Sequence, residues 1–175
     1  MHRKLKLHIL PLLLLPLVFT ACAIAKFGYS FSQGAIPADV KTVSVSYFPN
    51  NALLVAPILS STFTDALKDR FIKQSRLTLV NEGEGDLNFE GEITNYTTSP
   101  ASVSADEVAV RNNLTISVRV RFTNRLYPEQ SYDKTFTSFL PYNTNQMLQE
   151  VEPTLIPEIV DQLVEDIFNA AVSQW

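Results

Sequence analysis

The chain has 175 residues, with 14 Lys+Arg, 18 Asp+Glu, two histidines, one cysteine and five glycines. Its formal charge of −4 becomes −7 beyond residue 21, because the first 21 residues hold Arg3, Lys4 and Lys6 and no carboxylate. A negative chain lacks the basic footprint of general nucleic-acid binding. With His2, His8 and Cys22 all near the start, the remainder has no residues from which to build a zinc centre or a Ser-His-Asp or Cys-His site.

Residues 1–21 run from a basic start through an apolar stretch, Leu7 to Phe19, to the small pair Thr20-Ala21. This is the order of a secretory signal peptide. Pro11 and Pro16 interrupt the stretch, and it is shorter than the ~20 residues a transmembrane helix needs. Cys22 has no second cysteine to pair with, and its place after Phe19-Thr20-Ala21 resembles a bacterial lipobox. In that reading its thiol carries a diacylglycerol, and the protein is held at a membrane by its acyl chains. Phe19 stands where such boxes usually have leucine. The alternative is plain cleavage near Ala21 or Ala25, leaving a free thiol. Ala23, rather than aspartate, follows the cysteine, which by resemblance to Gram-negative lipoproteins favours the periplasmic face of the outer membrane. Residues 22–40 are expected to be a lipidated tether and 41–175 a single domain.

Lys41 to Tyr47 alternates, with Val43, Val45 and Tyr47 on one side and Thr42, Ser44 and Ser46 on the other, as a half-buried strand does. Phe48-Pro49-Asn50-Asn51 ends it. Pro57 can open a helix, along which Leu59, Phe63, Ala66, Leu67 and Phe71 fall at helical spacing, with Asp65, Lys68, Asp69 and Lys73 on the wet side. Leu77 to Val80 reads as a short strand, and Asn81 to Asp86 as a turn. Three longer strands follow: Leu87 to Tyr96, with Leu87, Phe89 and Ile93 on one face; Asn113 to Asn124, with Leu114, Ile116, Val118, Val120 and Phe122 on one face; and Tyr132 to Phe139. Ser99 to Val110 is expected as a loop and Tyr127 to Gln130 as a turn. A last apolar face runs from Leu155 to Val172. Proline fits only a first helical turn, so Pro157 puts the main start of this helix near Thr154, with Trp175 packed on the sheet. The order predicts an α+β fold: a two-layer sandwich, two helices packed on one face of a mainly antiparallel four-stranded sheet.

Little here supports catalysis, and no cofactor or metal is expected. No glycine pattern makes a phosphate loop, and Gly83 and Gly85 sit in an acidic turn. Glu90 and Glu92 share a strand face and could imitate a carboxylate pair, but a solvated face explains them more simply. The other face of the Asn113–Asn124 strand reads Asn113, Thr115, Ser117, Arg119, Arg121, Thr123 and on to Arg125, with Arg111 just before. Arg111, Arg119 and Arg121 form a candidate anion or partner face, since the guanidinium fork suits phosphate and carboxylate. If the hairpins keep apolar residues together, Glu90 falls opposite Arg119 and Asp133 opposite Arg121, an ordinary set of cross-strand pairs. The many hydroxyls of this face also suit a wet protein interface.

Long blocks in order carry a family resemblance. They are Phe31-Ser32 through Ile36-Pro37, Val40 through Ala52, Phe63-Thr64-Asp65-Ala66-Leu67, Leu77 to Val80, Phe89 to Thr94, Leu114 to Val118, and Val164 to Asn169 ahead of Trp175. The mature chain so resembles the LptE family, the lipopolysaccharide-assembly lipoproteins, in its Bacteroidetes-type form. Pro157 departs from the helix former that related sequences tend to have there. The resemblance implies a two-layer lipoprotein on the periplasmic side of the outer membrane. It would plug a large β-barrel translocon, LptD, and help lipopolysaccharide to the outer leaflet without being an enzyme. Basic residues of family members are proposed to contact lipopolysaccharide phosphates, and none of those roles transfers residue by residue to this chain. The Val43–Tyr47 strand, the Phe63–Phe71 helix and Leu77–Val80 also resemble the start of periplasmic nucleator and secretion lipoproteins, which would imply a homo-oligomeric ring.

Overall fold

The computed structural model describes residues 36–54, 56–101 and 111–173. The signal peptide, Cys22, the tether up to residue 35, most of the expected Ser99–Val110 loop and the packing of Trp175 lie outside the described residues. The elements in chain order are β1 (Thr42–Val45), α1 (Leu59–Gln74), β2 (Thr78–Leu79), β3 (Leu87–Pro100), β4 (Arg111–Asn124), β5 (Tyr132–Asn143) and α2 (Leu148–Val172). A single 3-10 turn at Pro128–Gln130 joins β4 to β5.

The sheet has five strands, not four, in the order β2-β1-β3-β4-β5. β1 is parallel to both its neighbours, while β3, β4 and β5 form two long antiparallel ladders. The strand beyond the expected four is the two-residue β2, which falls inside the short strand read at Leu77 to Val80. Helix α1 crosses over between β1 and β2, and such a crossover is what returns a chain for parallel pairing. β1 was expected to be half-buried, yet Ser44 is as buried as Val43 and Val45. The turn after β2 folds over this strand, and a Gly83 N–H donates to Ser44 Oγ at 3.2 Å. Tyr47 lies past the strand's end and is exposed, against expectation.

Both helices pack on one face of the sheet. Phe89 of β3 meets Phe71 of α1 at 4.7 Å between ring centroids, and Phe71 meets Phe168 of α2 at 5.2 Å. Phe89 also stacks on Phe122 of β4 at 4.8 Å. Each such pair adds ~0.5–1.5 kcal/mol beyond simple burial. The expected even-numbered face of β4, Leu114 through Phe122, is wholly buried. In α1, Leu59, Phe63, Leu67 and Phe71 are buried as the spacing predicts. The two helices are also pinned by Arg70, whose guanidinium bonds Asp161 at 2.5 Å and reaches Glu165 as well.

Strands also differ in extent from expectation, β1 being shorter and β4 beginning at Arg111 rather than Asn113. β3 continues to Pro100 because a bulge between Ile93 and Asn95 resets its phase. Before the bulge odd-numbered side chains enter the core; after it Tyr96 does, its hydroxyl donating to Glu152 of α2 at 2.5 Å. β5 likewise runs on to Asn143, paired with Arg111. Helix α2 begins at Leu148, not near Thr154, and holds both Pro153 and Pro157 inside. Leu148, Val151 and Leu155 pack against the core and hold the first turns in place. Glu150 caps them, accepting the Met147 N–H at 3.4 Å. Among the described residues, no helix is long and apolar enough to cross a membrane.

Candidate functional site

With the helices on one side, the other face of the β3-β4-β5 sheet is open. Ladder register sets its rungs. Glu90, Arg121 and Asp133 stand side by side, as do Glu92, Arg119 and Thr135. Beyond the bulge the rungs are uncharged: Asn95, Ser117 and Thr137, then Thr97, Thr115 and the exposed Phe139. The open face is therefore half charged and half neutral.

In the charged half, Asp133 accepts two parallel bonds from Arg119, from Nε at 2.9 Å and from Nη2 at 2.8 Å. Arg121 Nε lies 3.8 Å from the same carboxylate. The Arg119 hydrogen bond holds the Asp133 carboxyl below its ordinary range, and Asp133 in turn raises the Arg119 guanidinium further above it. Glu92 accepts from Asn51 Nδ2 at 2.6 Å. Around these groups, and floored by Pro49 and Gly91, is a hollow of about 240 Å³. Glycine is required at 91: a Cβ there would meet the Arg119 carbonyl oxygen at 2.0 Å and Phe48 Cε1 at 2.7 Å.

The structure brings Arg119 and Arg121 together and sets Arg111 apart. Arg111 is exposed at the start of β4 and lines a separate hollow of about 430 Å³ with Tyr142, Glu150 and Thr154. Glu90 lies opposite Arg121 and not Arg119, which instead faces Glu92; Asp133 does lie opposite Arg121. The expected β3–β4 register is off by two residues. A two-residue slip leaves every side chain on its own face, so the apolar pattern does not distinguish the alternatives. The Phe89–Phe122 stack and the close approach at Gly91 choose between them. The sequence reading missed the parts played by Asn51, Pro49 and Gly91, for which Phe48-Pro49 ahead of a strand glycine was the available signal. Among the described residues, no group of three or more His, Cys, Asp or Glu is arranged to hold a metal.

Comparison with curated proteins gave no match. Among solved structures, the fold is shared with a hypothetical protein from Chlamydia trachomatis at 12% identity and TM-score 0.55, covering 78% of this chain and 99% of that one. An uncharacterized lipoprotein B from Nitrosomonas europaea matches at 17% identity and TM-score 0.50, covering 80% and 86%. A PelC dodecamer from Paraburkholderia phytofirmans, at 11% identity and TM-score 0.42 over 74% and 92%, is too distant to bear on a ring. The Chlamydia and Nitrosomonas likenesses show the fold alone. Most of the described domain, residues 40–171, matches the lipopolysaccharide-assembly family LptE, and the chain belongs to that family.

Proposed function

We propose that this protein is a non-enzymatic lipoprotein of the outer membrane's periplasmic face, acylated at Cys22. It occupies the lumen of an LptD-like β-barrel and assists lipopolysaccharide transport and outer-membrane assembly. The family match over residues 40–171 carries the reading. The physical character of the domain supports it. A body seated in a polar barrel lumen needs a rigid core and a surface that stays wet against a partner. The helices and sheet bury one continuous apolar core, and the open sheet face offers charged and hydroxyl rungs. Arg119 and Arg121 lie in the part of that face proposed to meet the partner, with lipopolysaccharide a further candidate ligand of the arginines, Arg111 included.

The test is a crosslinking pull-down from outer membranes with photoreactive residues at positions 119 and 121, alongside depletion of the protein. Capture of a large β-barrel, together with defective lipopolysaccharide export on depletion, is expected. Capture of neither barrel nor glycolipid, with export intact, overturns the reading.

A further inference from the structure

The charged rungs hold three carboxylates against two guanidiniums, so the hollow between them is negative by one charge. Asp133 is taken up by both arginines, through Arg119 Nε and Nη2 and, at 3.8 Å, Arg121 Nε. Glu92 accepts one bond, from Asn51. The Glu90 carboxylate is exposed and has no ion pair or hydrogen bond among the described residues. An anion approaching Arg121 meets Glu90 on one side and Asp133 on the other, because the register places Arg121 between them. A cation meets the reverse: the Glu90 carboxylate, Glu92 beside it, and two guanidiniums that both lie toward Asp133. A hollow of about 240 Å³ has room for the head of one long side chain.

We infer that this hollow seats a basic side chain, lysine or arginine, projecting from a protein partner, with Glu90 as its principal acceptor and Glu92 as the second. The inference rests on the partner reading above and makes it specific: the partner surface over the charged half of the sheet carries positive charge, and the surface over the neutral half is polar and uncharged. Arg119 and Arg121 then act by holding Asp133 and spacing the carboxylates rather than by gripping phosphate. Such a contact at the edge of an interface sets register and association rate more than affinity.

The experiment uses the mature acylated protein in detergent and follows backbone amide NMR shifts. Tetralysine is titrated into one sample and inorganic phosphate into another. Tetralysine should move the amides of Glu90, Gly91, Glu92 and Arg119, and its apparent Kd should weaken about fivefold in the E90Q/E92Q double variant. Phosphate should leave those amides unmoved in the wild type. In E90Q/E92Q one carboxylate faces two guanidiniums, so phosphate should now move them. Phosphate shifts in the wild type, or tetralysine binding that is absent from these amides or unchanged in E90Q/E92Q, overturns the inference. A pull-down separates the two levels. A barrel captured equally by the wild type and E90K/E92K overturns the seat and leaves the assembly reading standing. Failure of both to capture a barrel sinks the assembly reading, and the titration still decides the charge preference of the hollow.

Discussion

At the scale of single residues, most of the stabilising detail surrounds β1 and its neighbours. The Asp86 carboxylate accepts the N–H groups of Lys41 at 2.9 Å and Thr42 at 3.0 Å, and so ties the turn after β2 to the start of β1. The Lys41 bond is the main reason its pKa lies below the ordinary carboxylate value. A lowered folded-state pKa means the unfolded chain binds the proton more readily. The contribution of Asp86 is therefore complete above the unfolded carboxyl range, near pH 4, and is lost as pH falls through the lower folded value. Asp86→Ala should cost about 1 kcal/mol at pH 7, after allowance for solvent screening, and the gap from wild type should close in acid. Urea unfolding at a series of pH values checks this; a gap that stays constant as pH falls from 7 into the acid range would contradict it. Gly91→Ala is a harsher change. Its Cβ would press on the Arg119 carbonyl and the Phe48 ring, so ~2–3 kcal/mol should be lost, read as a lower urea midpoint with unchanged slope.

At the scale of elements, β4 and α1 were the most legible in the sequence. Five alternating apolar residues in β4 and a clean helical stripe in α1 leave little choice of period. The misreadings fall where tertiary packing overrides local preference. β1 was read as half-buried because Ser44 is polar, yet Ser44 is satisfied by Asn88 at 2.5 Å under a covering turn. β3 was cut short because a bulge shifted its phase at Thr94, and periodicity alone cannot locate such an insertion. In α2, Pro157 sets the expected boundary, but Pro153 and Pro157 both lie exposed within the helix while Ile156, Ile159 and Val160 are buried between and beyond them. A proline on the wet side leaves the carbonyl four residues back to water, a cost the buried face outweighs. Pro157→Ala restores one helical N–H and should raise the thermal midpoint by roughly 3 °C, corresponding to about 1 kcal/mol. A fall in the midpoint would mean that the proline itself serves the packing of Leu148 to Leu155.

At the scale of the whole molecule, family resemblance supplied the chain's place among known proteins. The charged rungs show why the candidate site was only partly legible. The arginines are visible in one strand, but the carboxylates that set their character arrive from two others through a register that alternation cannot fix.

The same separation of levels applies to membrane attachment, which we argue through Cys22. The described core closes from Val40 to Val172 around two helices and five strands, all C-terminal to the proposed anchor. Folding energy and membrane affinity should therefore be independent. Each buried acyl methylene contributes about 0.8 kcal/mol, so two or three chains hold the protein far more firmly than any exposed side chain could. Cys22→Ser should abolish labelling by a fatty-acid probe and move the protein from the membrane to the soluble periplasmic fraction. Its thermal midpoint should stay within about 1 °C of the wild type in the same detergent. A wild-type protein that takes up no label overturns the anchor. A variant that loses label and also unfolds at lower temperature overturns the independence of tether and domain, because some part of the anchored segment would then have to be packing on the core.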